Sequence, residues 1–389
     1  MLVDGVQGTV TPGFEAVRER FEALYRGEGD CAGQFCAYVG GKLVVDLWAG
    51  PDVSPEDIQG VFSSTKGAGG VCMALLVQSG ALDLDKPVAY YWPEFASGGK
   101  EAVTVRIALS HQAGLPGVEP QLGVDELIDH ERVAGRLAAQ VPHWLPGKAH
   151  GYHAITIGTI MEELARRTVG MPVWEFFRKE VGEPRLIDFF IATPQSEECR
   201  VKLVLPLEPN SEQKEVLTAR QRSVDSLSGM AFNAAARRTT ASEELLPNIR
   251  KVRQAGQPAL SGVGSARGLA RLYAMCIGEV DGWEPLLTET TRQLVTQIQA
   301  VGEDLVLRLP TRYGIVFQKA DDRLWYGSHQ SFGHDGAGGS IGVADPWYGI
   351  AYAWVPRRMT FPGGADERGL ELAAAVRKCV SGGARGAGG

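Results

Sequence analysis

The chain has 389 residues, 44% of them apolar and 22% charged, enough for two domains or one elaborated domain of ordinary globular composition. A formal net charge of -7 and a pI of about 5.6 exclude the electrostatic footprint of a nucleic-acid or anionic-membrane binder. No stretch approaches bilayer-spanning length, and residues 1–12 lack the basic start and apolar run of a secretory signal.

In chain order, Phe14, Val17, Phe21 and Leu24 recur at helical spacing and predict an amphipathic helix over 13–25. Two short runs, 34–39 and 42–48, flank Gly40-Gly41 and predict a β-hairpin. The run Val71-Cys72-Met73-Ala74-Leu75-Leu76-Val77 is apolar on every side, which marks a buried central helix starting after Phe62 and ending near Gly80. Pro87 and Pro93 make 83–92 a loop, and 103–109 begins a region of helices and loops reaching to about 255. Its clearest helix is 155–167 and its one candidate strand is 201–205. Ser261-Gly262-Val263-Gly264-Ser265 opens a further helix over 266–277. Late strands fall at 314–319, 339–344 and 349–355, before a final helix over 366–380 and a flexible tail, 381–389.

Strands therefore cluster at both ends of the sequence, with helices between. The simplest packing is an α/β (α+β) fold: one antiparallel sheet made from both chain ends and flanked by helices. Residues 1–85 and 256–389 would form this sheet domain, and 86–255 a mostly helical inserted domain, with a cleft where the two meet.

The chemistry-bearing residues gather around the central helix. Ser63 and Lys66 stand at its front, one turn apart and on one face. A serine there sits among unpaired backbone N–H groups at the positive end of the macrodipole. A lysine held there away from water loses its proton readily and would accept that of the serine hydroxyl. The S-x-x-K spacing occurs three times, at Ser63/Lys66, Ser97/Lys100 and Ser211/Lys214. The second lies in a Gly98-Gly99 turn with no fixed geometry, and the third opens a capped surface helix; only the first leads into a buried helix. On this stretch alone, Ser63 as a plain helix cap beside a solvated lysine stays open.

Tyr152, at a loop-to-helix junction, would share a proton with Ser63 and Lys66, or else simply pack with its hydroxyl satisfied. The run Phe332-Gly333-His334-Asp335-Gly336-Ala337-Gly338-Gly339-Ser340 is a glycine-dense entry to a strand, either a tight turn or an edge whose N–H pairs with that of Ser63 as an oxyanion hole. Gly338-x-Ser340-x-Gly342 matches a nucleophile elbow in letters, but a strand follows it where a helix is required, so Ser340 is rejected as nucleophile. His143, His150 and His153 lack metal-ligand spacing, and no complete dinucleotide or P-loop motif occurs, so no cofactor and no metal is expected. The six cysteines, Cys31, Cys36, Cys72, Cys199, Cys276 and Cys379, are scattered and read as reduced thiols of a cytoplasmic protein. Trp144, Trp325 and Trp347 are candidate cleft aromatics.

Taken together these stretches resemble the serine β-lactamase and penicillin-binding-protein superfamily, in its class C-like, family VIII carboxylesterase branch. Phe62-Ser63-Ser64-Thr65-Lys66-Gly67 resembles the first motif. The segment 75–87, the stretch Leu109-Ser110-His111-Gln112-Ala113-Gly114-Leu115-Pro116, Pro146-Gly147 with Tyr152-His153-Ala154, and Gly333-His334-Asp335-Gly336-Ala337-Gly338-Gly339 follow in the family's order. The resemblance implies Ser63 as the acylated nucleophile, Lys66 and Tyr152 as its proton-transfer partners, and the N–H groups of Ser63 and Ala337 as the oxyanion hole. His334, Asp335, Gly336, Gln112 and Trp144 would face the substrate, a small-molecule ester or amide.

Two departures favour neutral esters over β-lactams. Ala154 stands where the second motif has Asn, and His334-Asp335 replaces Lys-Thr. The resulting reading is a carboxylesterase on small or medium esters that works through an acyl-enzyme. An acyltransferase, a β-lactamase or D-aminopeptidase-like amidase, and a catalytically silent scaffold are the alternatives.

Overall fold

The computed structural model describes residues 5–27, 31–221, 223–234 and 245–386. Its strands are β1 (Val6–Val10), β2 (Gly33–Val39), β3 (Lys42–Ala49), β4 (Ile58–Gly60), β5 (Phe189–Phe190), β6 (Val201–Lys202), β7 (Val263–Gly264), β8 (Ala300–Glu303), β9 (Pro310–Tyr313), β10 (Gln318–Lys319), β11 (Phe332–Asp335), β12 (Ile341–Asp345) and β13 (Ile350–Pro356). The helices that matter most for the site are α1 (Glu15–Gly27), α2 (Thr65–Gln78), α3 (Thr156–Val169), α4 (Ala266–Met275) and α5 (Glu367–Gly386).

Nine strands form one antiparallel sheet in the order β1-β3-β2-β13-β12-β11-β10-β9-β8, drawn from both ends of the chain as expected. The β2–β3 hairpin turns on Gly40 and Gly41, both at positive φ (54° and 76°), the conformation that suits the twist of a tight hairpin. A second, four-stranded sheet, β5-β7-β4-β6, gathers short strands from distant parts of the chain.

The main sheet is buried on both faces, and strand alternation sorts its residues between two cores. Cys36, Tyr38, Ala344, Ala351 and Ala353 face the core shared with α2 and α4. Phe35, Ala37, Ile341, Val343, Tyr352 and Trp354 face the core shared with α1 and α5. Large aromatics fill the second face, where Phe21 of α1 meets Trp354 edge-on at 5.5 Å. Small residues line the first face and let α4 lie close to it. At Gly342 a Cβ would stand 2.6 Å from Tyr273 and 2.7 Å from Leu269, one turn apart on α4. Tyr273 also reaches α2, where a Cβ on Gly67 would sit 2.0 Å from its hydroxyl oxygen. One tyrosine is thus wedged between the sheet and the central helix.

The helix α2 is buried along nearly its whole length, from Thr65 through Ala74 and at Leu76, as its uniformly apolar sequence requires. The same core continues through Ile157, Ile160, Met161 and Leu164 of α3.

Several elements differ from expectation. Residues 314–319 are not one strand: Gly314-Ile315-Val316-Phe317 is a tight turn, closed by the Gly314 N–H donating to Phe317 O at 2.8 Å, between β9 and β10. Its apolar run is buried, with Val316 and Phe317 set against Gly70 of α2, so apolar content reports burial here rather than a strand. The strands β1, β4, β5, β7, β8 and β9 were not anticipated. The tail expected from 381 continues as helix to Gly386, and 387–389 lie outside the described residues. Lys100 is buried rather than loosely placed in its turn, with its ammonium donating to the carbonyls of Ser97, Ala138 and Gln140. The Ser211 segment is the capped helix expected, with Asn210 and Gln213 forming a capping box.

Gly342→Ala should force α4 off the sheet. Overpacking of this kind costs roughly 1–3 kcal/mol, read as a lowered denaturant midpoint at unchanged m-value.

Candidate active site

The site is built on the turn that carries Ser63. The strand β4 leads into a single 3₁₀ turn, Phe62–Ser64, which runs directly into α2. Phe62 holds a left-handed backbone (φ 50°), unfavourable for a residue with a Cβ, and its ring lies against Gly338, where a Cβ would be 2.7 Å away. The turn is tied down on both sides. Val61 N–H donates to Gly262 O at 2.9 Å, and Gly262 N–H donates to Thr65 Oγ1 at 2.9 Å. The buried Ser64 hydroxyl faces the carbonyls of His334 and Ser340, each at 3.2 Å, and Ser340 Oγ at 2.9 Å. Ser340 Oγ in turn donates to Val61 O at 2.7 Å. Ser340 is thus a fastener of the turn that carries Ser63.

Ser63 itself is half-buried. Lys66 is fully buried, and its Nζ donates to Ser63 Oγ and to Ala259 O, both at 2.9 Å. Burial drives the Lys66 pKa well below the ordinary lysine value, against an opposing pull from the Asp335 charge. In its neutral form the amine keeps protons for the Ala259 carbonyl and has a lone pair for the serine proton.

Tyr152 lies just ahead of α3. Its hydroxyl is near enough to the Ser63 side chain to be influenced by it, and its ring centroid is 5.0 Å from Lys66 Nζ. Burial raises the Tyr152 pKa, with the Ser63 side chain working against it, so the phenol keeps its proton in neutral solution. The structure therefore brings together Ser63, Lys66 and Tyr152, which stand far apart in sequence.

His334 closes the other side, its ring centroid 6.0 Å from that of Tyr152. Its Nδ1–H donates to Asp335 O at 2.7 Å, which leaves Nε2 as a bare acceptor, buried and without a hydrogen-bond partner. Burial, then the neighbouring Lys66 charge, pushes its pKa down to about 3. The Asp335 carboxylate points into the scaffold, accepting from Gln318 Nε2 at 2.8 Å, Arg323 Nη1 at 3.0 Å and Ala365 N–H at 2.8 Å. Burial opposes that charge, but Arg323, His334 and Gln318 outweigh it and hold the pKa below the usual carboxylate range. Ala337 sits in a turn closed by Gly336 N–H donating to Ser340 O at 2.8 Å and Gly339 N–H to Gly336 O at 2.9 Å. Gly336 meets the turn that carries Ser63 directly: a Cβ there would be 2.2 Å from Val61 O.

Trp144 is near Tyr152, in an apolar cluster that also holds Val306, Leu307 and Phe232, and its Nε1 donates to Ala149 O at 3.1 Å. The Gln112 amide nitrogen is engaged by Ser110 Oγ at 2.7 Å and Gln299 O at 3.3 Å. Trp325 and Trp347 are elsewhere. The first lies in a surface groove between α1 and α5, and the second in the exposed turn after β12, at the end opposite Ser340. His143, His150 and His153 form no metal cluster among the described residues.

Sequence reasoning missed three residues close to this group. His111, at φ 63°, accepts the His153 N–H on Nδ1 at 3.0 Å and packs 5.2 Å from the Tyr152 ring. Tyr313 stacks on Tyr152 at 6.3 Å and 11°. Asp304 accepts the Tyr152 N–H at 3.1 Å. His111 falls within the stretch 109–116 but was given no role there; Tyr313 and Asp304 lie in no recognisable spacing, and only long-range folding brings them here.

The profile of the Beta-lactamase family matches residues 20–377. The chain is 33% identical to the esterase/beta-lactamase LipL of Mycobacterium tuberculosis over 92% of its own length and 84% of that protein's. In structure it is similar to EstA from Arthrobacter nitroguajacolicus Rue61a, with a TM-score of 0.89 at 41% identity, covering 96% of this chain and 98% of the other. A family VIII carboxylesterase superposes with a TM-score of 0.82 at 29% identity over 96% and 99% of the two chains. A profile match across most of the chain and a relative one-third identical along nearly its full length place this protein in the β-lactamase family, as an esterase-like serine hydrolase.

Proposed function

We propose that the protein is a carboxylesterase acting on small or medium neutral esters through an acyl-enzyme on Ser63. The observation that carries this reading is a fully buried Lys66 amine 2.9 Å from a half-buried serine hydroxyl, with no carboxylate bonded to it to hold its proton among the described residues. Ser63 Oγ attacks the ester carbonyl while its proton passes to the Lys66 amine. The oxyanion that forms is held by the N–H groups of Ser63 and Ala337. Collapse breaks the C–O bond to the alcohol, which leaves with a proton from Tyr152, and Lys66 restores the Tyr152 proton. Water then attacks the acyl carbon, giving up a proton to the Tyr152–Lys66 pair as Ser63 Oγ recovers its own.

In the same reading, residues 1–85 with 256–389 form the sheet domain and 86–255 the helical domain, with the substrate bound between them. His334, Gly336, Gln112 and Trp144 line its path, and Asp335 supports it from behind. The preference for neutral esters follows from charge. The third motif offers an uncharged imidazole, the negative charge of Asp335 is matched by Arg323, and Ala154 supplies no amide group. The name of the family VIII carboxylesterase points the same way, while that of LipL covers both an esterase and a β-lactamase.

A fluorophosphonate should label the protein once, at Ser63, with Ser63→Ala abolishing label and turnover and Ser340→Ala keeping the label. Peptide mass spectrometry that maps the adduct to another serine would reject the assignment. On an activated ester, kcat/KM should rise with pH as the Lys66 ammonium loses its proton, because the neutral amine is the base. That limb should lie well below the ordinary lysine value of roughly 10.4. Lys66→Arg should remove nearly all acylation, and Tyr152→Phe should lower kcat by roughly 10²-fold or more. A panel of neutral esters, anionic esters and β-lactams should show the highest kcat/KM for neutral esters. Millimolar alcohol acceptors should divert only a minor share of product to transfer, and dominant transfer would make the protein an acyltransferase.

A further inference from the structure

Asp304 is a fully buried carboxylate directly after β8, and no ion pair reaches it among the described residues. Five hydrogen-bond donors take the place of a cation. Oδ1 accepts the N–H groups of Tyr152 at 3.1 Å, Val306 at 2.9 Å and Leu307 at 2.8 Å. Oδ2 accepts the hydroxyls of Thr311 at 3.3 Å and Tyr313 at 3.4 Å. The bonds to Val306 and Leu307 are local and shape the β8–β9 loop, as an aspartate in a turn does. The bond to Tyr152 is not local: it crosses 152 residues of sequence to the main chain of the proton-transfer tyrosine.

The same carboxylate also holds what packs around that tyrosine. Tyr313, on Oδ2, stacks on the Tyr152 ring, and Val306 and Leu307, on Oδ1, belong to its apolar cluster. Leu305 N–H donates to His150 O at 3.0 Å, clamping the loop to the strand-like segment that carries Tyr152. One side chain therefore sets the backbone position, the stacking partner and the apolar wall of Tyr152.

We propose that Asp304 is a positioning residue for proton transfer, holding the Tyr152 phenol on Ser63. This rests on the reading that Tyr152 moves protons. The negative charge at Asp304 also favours the protonated phenol, in the direction burial already sets. An acceptor is needed on Oδ1 for three N–H groups, which asparagine preserves. An asparagine nitrogen on the other side would face two hydroxyls able to turn and accept, so Asp304→Asn keeps the cradle and removes the charge.

The test is a double-mutant cycle on an activated ester with Asp304→Asn, Tyr152→Phe and the pair. Asp304→Asn should lower kcat by roughly 10- to 100-fold with KM held within about threefold, and should cost less than about twofold more once Tyr152 is already Phe. A residue that only supports the fold would lower kcat by the same factor in both backgrounds. That additive result, or a kcat within about twofold of the parent, would overturn the inference alone. A near-native kcat for Tyr152→Phe would bring down the proton-transfer reading and this inference together. If Asp304→Asn does not fold by circular dichroism, Thr311→Val with Tyr313→Phe strips both donors from Oδ2 and leaves the N–H cradle. That variant should lower kcat by roughly 3- to 10-fold only while Tyr152 is present, and an additive loss would again overturn the inference.

Discussion

The structure depends on keeping one lysine dry. Taking an ammonium wholly out of water is expensive, and burial accordingly favours the form of Lys66 that has given up its charge. Lys66 retains a hydrogen bond to the Ala259 carbonyl, so the neutral amine is not stranded. On the same helix, glycines admit large side chains that pack directly against α2. Gly67 lies under Tyr273 and Gly69 against Met161, each too close for a Cβ, and at Gly70 a Cβ would press on Phe317 at 3.0 Å. Glycine inside a helix costs about 1 kcal/mol relative to alanine, so three of them in the first turns would weaken an isolated helix. Here burial on every side offsets that, and the glycines buy the approach of three bulky residues.

Charge is arranged in layers around this dry centre. Around Ser63, burial works against charge on the lysine, tyrosine and histidine side chains. Burial depresses Lys66, holds Tyr152 protonated, and pushes His334 and His153 down to about 3 and about 4. Formal charges stand one layer back, each satisfied in its own way. Asp335 is matched by Arg323 and Gln318, and Asp304 by five donors without a cation. On the proposed reading, such a pocket would give an anionic substrate little to bind, and the oxyanion formed during reaction would be the strongest charge that the backbone N–H groups meet.

Much of this was legible in the sequence, for identifiable reasons. The sheet from two chain ends was readable because β2, β3, β12 and β13 are dense apolar runs bounded by turn residues. The Ser63/Lys66 pair stood out from the two other S-x-x-K copies because only it leads into a helix apolar on all sides. Strands such as β1 and β8 were not readable, since they are short and take their order from partners far along the chain. The 314–317 turn imitated a strand because burial and strand formation select the same residue types. Asp304 left no trace in any local pattern. Its three N–H partners and two hydroxyls come together only when β8, β9 and the Tyr152 segment have folded against one another.

The two faces of the main sheet show how packing reaches the chemistry. Toward α1 and α5 the sheet presents Phe35, Tyr352 and Trp354, which fill volume; toward α4 it presents Gly342, Ala344, Ala351 and Ala353, which give volume up. Close approach by α4 places Tyr273 at the depth where its hydroxyl touches Gly67, directly behind Lys66. From the same strand, β12, the chain runs back through Ser340 to the Ser64 hydroxyl and the Val61 carbonyl. The turn that carries Ser63 is thus gripped from the sheet at two points, one by packing and one by hydrogen bonds. A turn held in this way can keep Phe62 in its left-handed conformation, and that conformation sets Ser63 at the mouth of α2 while its lysine stays buried behind it.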